Sequence, residues 1–296
     1  ALYASRSNLD TLLLERGIPG GQLNNTAEIE NYPGFNSILG PDLSTKMFDS
    51  AKQFDVEYGF GNVNEVIDGK EYKTVIAGKK EYKTRSIIVS TGAEHRKLGA
   101  PGENEYNGRG VSYCAVCDGA FFRNKHLVVV GGGDSAVEEG TYLTQFADRV
   151  TIIHRRDELR AQKILQERAF KNEKIDFLWD TVVEEIYGDD MRVQGVKIKN
   201  NLTGEESEFA PDGVFIYVGL LPNSDVFTEL GITDEEGWIQ TNKKMETAVS
   251  GIYAIGDVRN TPLRQVATAV GDGSVAGQEV FNYVESLKDS MSSELV

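Results

Sequence analysis

The chain alternates between two kinds of hydrophobic pattern. Short runs that are apolar at nearly every position occur at 126–130 (His-Leu-Val-Val-Val), 150–153 (Val-Thr-Ile-Ile), 214–218 (Val-Phe-Ile-Tyr-Val), 87–89 (Ile-Ile-Val) and 252–255 (Ile-Tyr-Ala-Ile). Runs this short, without alternation, predict strands buried on both faces. Three of them run into a glycine turn, at Gly92, Gly219 and Gly256. Glycine there permits a sharp turn or the close approach of a ligand. By contrast, 63–84 and 182–210 alternate apolar with polar residues and carry turn signals at Asp68-Gly69 and Gly188-Asp189-Asp190. They predict antiparallel meanders that serve as crossovers. Residues 1–7 read as the end of a helix, 11–17 as a short strand ending on an acid, and the polar tail 288–296 as frayed. The sum is an α/β chain.

The strand at 126–130 opens directly into Gly131-Gly132-Gly133-Asp134-Ser135-Ala136, a G-x-G-x-x-A loop, and then into a helix through Val137-Glu138-Glu139 toward Phe146. Glycines let the backbone approach a pyrophosphate, and the helix N-terminus adds amide donors and positive partial charge. The motif gains specificity from its setting between a strand and a helix, with a second strand at 150–153. Where an NAD site carries an acid at the end of that second strand, this chain has His154, Arg155 and Arg156, with Arg160 one helical turn on. Cations there suit a 2′-phosphate and favour NADPH over NADH. Glu15, at the end of the 11–17 strand, reads either as an exposed charge at a strand end or as the ribose acid of another such unit. Its strand and glycine loop would lie about 20 residues upstream, ahead of Ala1.

The only two cysteines stand as Cys114-Ala115-Val116-Cys117, followed by Asp118. This spacing permits fast intramolecular thiol–disulfide exchange and a depressed thiol pKa. Half a zinc site or two inert cysteines are the other readings. Zinc takes about four ligands, and the three histidines, His95, His126 and His154, lack ligand spacing. The cysteine-spacing rules favour a redox pair. Asp118 reads either as a proton donor and acceptor for the thiols or as a turn former before Gly119.

At 296 residues the chain suggests about two domains. A net charge of −15 with no basic block argues against binding nucleic acid or an anionic membrane surface. No apolar run approaches the roughly 20 residues of a membrane span, and no signal peptide is visible. Two cysteines in a redox motif fit a reducing, cytoplasmic setting.

Taken together, Cys114-Ala115-Val116-Cys117-Asp118-Gly119, Gly131 to Glu139, His154-Arg155-Arg156, Gly256-Asp257-Val258 and Arg264-Gln265-Val266-Ala267-Thr268-Ala269 resemble the bacterial-type, low-molecular-weight thioredoxin reductases of the pyridine nucleotide-disulfide oxidoreductase family. Gly20-Gly21-Gln22-Leu23 and Glu28-Ile29-Glu30-Asn31-Tyr32-Pro33-Gly34 match in the same order. The resemblance covers essentially the whole chain, apart from an N-terminal FAD phosphate-loop segment that the family places ahead of Ala1. It implies two Rossmann-like, three-layer domains. The FAD domain would be discontinuous, 1–96 plus 219–296, and the NADPH domain, 97–218, would be inserted into it and carry the cysteines. It implies that Glu15 holds the adenosine ribose of FAD, that Gly21, Gln22 and Asn31 line the flavin side, and that Gly92 allows close backbone approach. Gly256 and Asp257 would meet the ribityl or pyrophosphate end, and Arg264, Gln265 and Ala267 the isoalloxazine. Gly131, Gly133, Asp134, Ser135, His154, Arg155, Arg156 and Arg160 would bind NADPH.

The electron path implied by the resemblance runs from NADPH through FAD to Cys114–Cys117 and on to thioredoxin, with Cys117 facing the flavin, Cys114 attacking the partner and Asp118 handling the proton. One dithiol must then serve both flavin and thioredoxin. The resemblance therefore implies a domain rotation between half-reactions, with hinges near 96–98 and 220–223, and a homodimer. Two alternatives stand beside it: a flavin disulfide reductase serving another thioredoxin-like carrier, and a non-catalytic NADPH-binding protein without FAD.

Overall fold

The computed structural model describes residues 1–26 and 28–293. They form two compact units, of which the second, His95–Leu220, is inserted into the first, Ala1–Glu94 with Leu221–Val296.

The inserted unit is built on a five-stranded parallel sheet in the order Val111–Ser112, Gly213–Tyr217, His126–Gly131, Arg149–Ile153, Ile175–Leu178. Its runs lack alternation because both faces are covered. Side chains of a strand point alternately to opposite faces. Leu127, Val129, Ile152 and Phe215 accordingly pack on one side with Ala136, Val137, Leu143 and Ala169 of the helices Asp134–Leu143 and Lys163–Phe170. Val128, Val130, Val214 and Ile216 pack on the other side with Val183, Ile186, Val196 and Ile198. Those last four belong to an antiparallel sheet of Thr181–Gly188, Val193–Asn200 and Glu206–Phe209. The meander expected at 182–210 is thus the third layer. After Ile175–Leu178 it returns the chain to the middle of the parallel sheet.

The first unit repeats the arrangement in smaller pieces. Leu12–Glu15 pairs in parallel with Glu57–Phe60, and Ile87–Val89 with Ile252–Ala254. The expected meander at 63–84 is a three-stranded antiparallel sheet, Val63–Asp68, Lys73–Ala77 and Lys80–Thr84. Val89, Ile252 and Ala254 pack with Val66 on one face. Ile88 and Tyr253 pack with Ala276 and Val280 of the helix Val266–Ser293 on the other. That helix continues to Ser293, well into the polar tail expected to fray. Once a helix is nucleated, each added residue gains a backbone hydrogen bond, and polarity alone does not end it. The last three residues of that tail lie outside the described residues.

The chain crosses between the units twice. The crossing strands, Ala93–His95 and Leu220–Pro222, pair with each other. Within the inserted unit the Arg96 N–H donates to Gly219 O at 2.9 Å, and within the first unit the Asn223 N–H donates to Gly92 O at 2.9 Å.

Both faces of the inserted sheet are closely packed, so core truncation there is expected to be costly. Ile152→Ala, at a fully buried position, should lower the unfolding free energy by about 2–5 kcal/mol in a urea titration. Ile164→Ala, at a position 54% exposed, should change it by no more than about 0.5 kcal/mol.

Candidate active site

Cys114 and Cys117 are joined as a disulfide with Cα atoms 5.4 Å apart. Cys114 is half-buried and caps the short helix Ala115–Asp118, with its Sγ accepting from the Cys117 N–H at 3.2 Å. Cys117 is exposed. The entry to the segment is held by the buried Ser112, whose Oγ accepts from the Cys114 N–H at 3.0 Å. From the sheet, the Tyr217 hydroxyl accepts from the Ala115 N–H at 2.9 Å. Burial pushes the Tyr217 phenol well above its ordinary range, with Glu139 and Asp118 adding to the effect. Asp118 follows Cys117 directly, and its N–H donates to Cys114 O at 3.2 Å. A Cβ on Gly119 would lie 3.0 Å from Leu143 Cδ2, so the segment sits tightly on the helix Asp134–Leu143.

The glycine loop lies at the C-terminal end of the strand His126–Gly131, beside Gly213–Tyr217. Gly131 has φ +151°, and a Cβ there would stand 2.3 Å from Tyr217 O. A Cβ on Gly132 would stand 2.3 Å from the His154 ring, whereas one on Gly133 would meet nothing. The inner side of the loop is therefore filled by protein and its helix end is open. Of the basic residues, Arg155, Arg156 and Arg160 are exposed, and the Arg160 N–H donates to Gly132 O at 2.7 Å. His154 is different: its ring is buried under Gly132, and burial, followed by the nearby Arg160, holds its pKa below the usual histidine value. It forms the floor of the loop, and the three arginines form the charged surface. Asp134 accepts from the backbone N–H and side-chain Nε2 of Gln162, both at 2.7 Å, and so ties the basic turn to the helix start. Ser135, next in the helix, is exposed.

In the first unit some candidate residues stand at strand ends and others in short turns and helix starts. Glu15 closes the strand Leu12–Glu15 and accepts from the Gly17 N–H at 3.0 Å. Gly92 and Gly256, with φ +67° and +66°, follow the paired strands Ile87–Val89 and Ile252–Ala254. Gly21, φ +50°, and Gly92 both have open space where a side chain would go. Gln22 Nε2 donates to Ala93 O at 3.3 Å, beside Gly92. Asn31 Nδ2 donates to Gln265 Oε1 at 2.9 Å, joining two candidates 234 positions apart. Burial pushes the Asp257 carboxyl up, against the pull of Arg264. Arg264 donates from Nε to Asp257 O at 3.3 Å and lies 3.7 Å over the Trp238 ring. Ala267 stands in the first turn of the helix Val266–Ser293. Asp272, from the same helix, accepts from the Gly256 N–H at 3.0 Å and from Arg259 Nε at 2.8 Å, fixing the turn that carries Asp257.

Sequence reasoning misses Ser112, Tyr217, Glu139 and Asp272. Glu139 has a signal: it lies three residues after Ala136, on the helix face that buries Ala136, Val137, Gly140 and Leu143. Its Oε2 is buried with no hydrogen-bond partner among the described residues. Burial, with Glu138 second, raises its pKa from 4.5 to about 8. Between those values the folded chain keeps a proton that the unfolded chain releases. Stability therefore falls as pH rises through that window and levels off above it. Glu139→Gln should match the parent near pH 4 and exceed it at pH 8, by on the order of a few kcal/mol. Denaturant unfolding at a series of pH values checks this. A gap that does not widen with pH would contradict it.

Comparison with known proteins agrees with this geometry. The profile of the family described as pyridine nucleotide-disulphide oxidoreductase matches residues 1–273. The thioredoxin reductase of Listeria monocytogenes is 65% identical, over 99% of this chain and 92% of that protein. The thioredoxin reductase of Bacillus subtilis is 63% identical, over 99% and 93%. The crystal structure of Lactococcus lactis thioredoxin reductase, in its FR conformation, superposes with a TM-score of 0.95 at 57% identity, covering 96% of this chain and 94% of that one. With a matching profile over most of its length, relatives of this similarity and two Rossmann-like units, one inserted into the other, the chain belongs to the pyridine nucleotide-disulphide oxidoreductase family.

Proposed function

We propose that the chain is an NADPH-dependent flavoprotein that reduces the disulfide of thioredoxin, with Cys114 and Cys117 cycling between disulfide and dithiol. The observation that carries this reading is the Cys114–Cys117 disulfide held against the sheet that carries the glycine loop. The residues present suit both cofactors. For NADPH, the glycine loop is filled beneath and open at the helix start, an end of a helix that favours phosphate, and three exposed arginines match a 2′-phosphate. For FAD, Glu15 and Gly92 stand at strand ends of the first unit with Asp257 in the turn that follows another, and Gly21, Gln22, Asn31, Arg264 and Gln265 would complete the site from neighbouring turns, with open space at Gly21 and Gly92. This is where doubly wound sheets take ligands. When bound, NADPH and FAD supply the electron pair that opens the Cys114–Cys117 bond.

The chain's own residues manage the thiol chemistry. Opening the bond with two electrons and one proton leaves one thiolate and one thiol. The Cys117 N–H directed at Cys114 Sγ favours negative charge there. Asp118, next to Cys117, would hold and return the proton. The Cys114 thiolate attacks one sulfur of oxidised thioredoxin, forming a mixed disulfide and expelling a thiolate that takes a proton. Cys117 then gives up its proton and displaces the second thioredoxin sulfur from Cys114, that proton passing to the departing thiolate, which leaves reduced thioredoxin and restores Cys114–Cys117. Because the same pair must reach both flavin and thioredoxin, the reading includes rotation of the inserted unit about the paired crossing strands, where element ends absorb dihedral change. A cytoplasmic homodimer completes it. Among the described residues no helix is long and apolar enough to cross a membrane. Sedimentation of the purified protein tests the dimer.

Two outcomes are expected. In the visible spectrum the flavin band should bleach with NADPH and recover with oxidised thioredoxin. Cys114→Ser or Cys117→Ser should cut thioredoxin reduction at least about a hundredfold while bleaching persists. A colourless protein that stays colourless with added FAD would overturn the reading. Arg155→Ala and Arg156→Ala should each raise KM for NADPH about tenfold and leave NADH nearly unchanged, since each removes one charge-assisted contact. Equal effects on both nucleotides would reassign the arginines.

A further inference from the structure

Glu103 is a carboxylate-bearing side chain in a loop, yet it is only 1% exposed. A buried acid needs donors on its oxygens. It has three, at short range. Oε1 accepts from the Leu98 N–H at 2.7 Å and from the Tyr113 hydroxyl at 2.6 Å, and Oε2 accepts from the Gly99 N–H at 2.6 Å. Leu98 and Gly99 belong to the segment by which the chain enters the inserted unit, and Tyr113 immediately precedes Cys114. The loop between them is anchored independently of the carboxylate. The Ile186 N–H donates to Pro101 O at 2.9 Å. A Cβ on Gly102, which has φ +83°, would stand 1.8 Å from Ile186 O, so no other residue fits there without displacing the strand. Leu98 and Tyr113 both pack on the core between the two sheets. Burial and Glu103 together raise the Tyr113 phenol above its ordinary range, so it remains a donor at working pH.

We propose that Glu103 is a positioning residue that fastens the redox segment, through Tyr113, to the entry segment at Leu98–Gly99, so that the two behave as one rigid piece. Glu103 and Tyr113 are assigned no step in the thiol chemistry. Their effect on the cysteines passes through the backbone from Tyr113 to Cys114. A consequence is that any pivot in the first crossing lies before Leu98, since the amides of Leu98 and Gly99 are held by the carboxylate. The inference rests on the reading of Cys114–Cys117 as the working dithiol.

The test is a double-mutant cycle in the full-length flavoprotein with Tyr113→Phe, Glu103→Gln and both together. Three quantities are measured: thioredoxin-dependent turnover, NADPH–ferricyanide turnover, which draws electrons without needing the dithiol, and the iodoacetamide alkylation rate of the reduced protein at fixed pH. Tyr113→Phe should lower kcat for thioredoxin about three- to tenfold with KM and ferricyanide turnover unchanged, and raise the alkylation rate about threefold. Glu103→Gln should do at least as much, and the double variant no more than Glu103→Gln alone, because the two changes break one connection. A Tyr113→Phe protein with parental kcat and alkylation rate would overturn the proposal, as would fully additive effects. If Glu103→Gln fails to fold, Tyr113→Phe still decides, since it removes a single oxygen. If the parent itself does not reduce thioredoxin, the dithiol reading has failed, and alkylation alone judges the link from Glu103 to the cysteines.

Discussion

Tyr217 sets the spacing on which the inserted unit depends. Its carbonyl oxygen lies 2.3 Å from where a Cβ on Gly131 would be, and its hydroxyl accepts from the Ala115 N–H at 2.9 Å. One residue of a buried strand thus fixes the floor of the nucleotide loop with its backbone and the redox helix with its side chain. A tyrosine can do both because its rigid ring spans the core and its polar tip finds a partner at the far side. The strand supporting it, Gly213–Tyr217, is paired on both sides and fully buried. Movement of the disulfide relative to the glycine loop would have to break this pairing or the hydroxyl contact. The two chemistries proposed for the unit, holding a dinucleotide and exchanging a disulfide, therefore share one rigid frame.

Glycine and histidine make the frame compact enough to work. The middle glycine of the loop lies so close to the His154 ring that any side chain would displace it. His154 in turn is buried with its Nε2 unpartnered among the described residues, a cost of burying a polar atom. Burial disfavours its charged form, so the positive charge near the loop comes from the arginines around it. The division makes physical sense. A guanidinium keeps its charge and offers a planar fork to phosphate at the surface, whereas a neutral imidazole is flat enough to pack under a backbone loop.

Much of this is legible in the sequence because it depends on local rules. The strand–glycine–helix unit, the meanders and the close cysteine pair all follow from periodicity, glycine placement and spacing within a few residues. The exposure of Arg155 and Arg156 follows from their position after a strand end. The features that are not legible depend on tertiary proximity. Tyr217 reads as one more apolar strand residue, since nothing nearby in sequence shows that Ala115 needs an acceptor. Glu103 sits in a glycine- and proline-containing loop where an acid is expected to face water, and only the fold brings Leu98, Gly99 and Tyr113 around it. Sequence adjacency groups His154 with the arginines but says nothing about which side chains of a turn point inward. The polar tail reads as frayed because local composition does not show a helix already nucleated far upstream.

The first unit reaches a similar result by different means, which bears on how such sites tolerate change. There the turn carrying Asp257 is fixed from the long helix: Asp272 accepts from the Gly256 backbone and from Arg259, and this ion pair is largely buried, with both side chains 13% exposed. In the inserted unit the corresponding work is done by Tyr217 and His154. In both, a backbone segment beside the proposed ligand site is held by a side chain from elsewhere in the chain. Removing one partner of a buried ion pair strands the other and is far more costly than losing a surface contact. The positions most sensitive to substitution should therefore include Asp272, Arg259 and Tyr217, which touch no ligand in the proposed mechanism. The exposed arginines proposed to meet the nucleotide can be replaced with little effect on folding, because their charge is already in water before anything binds.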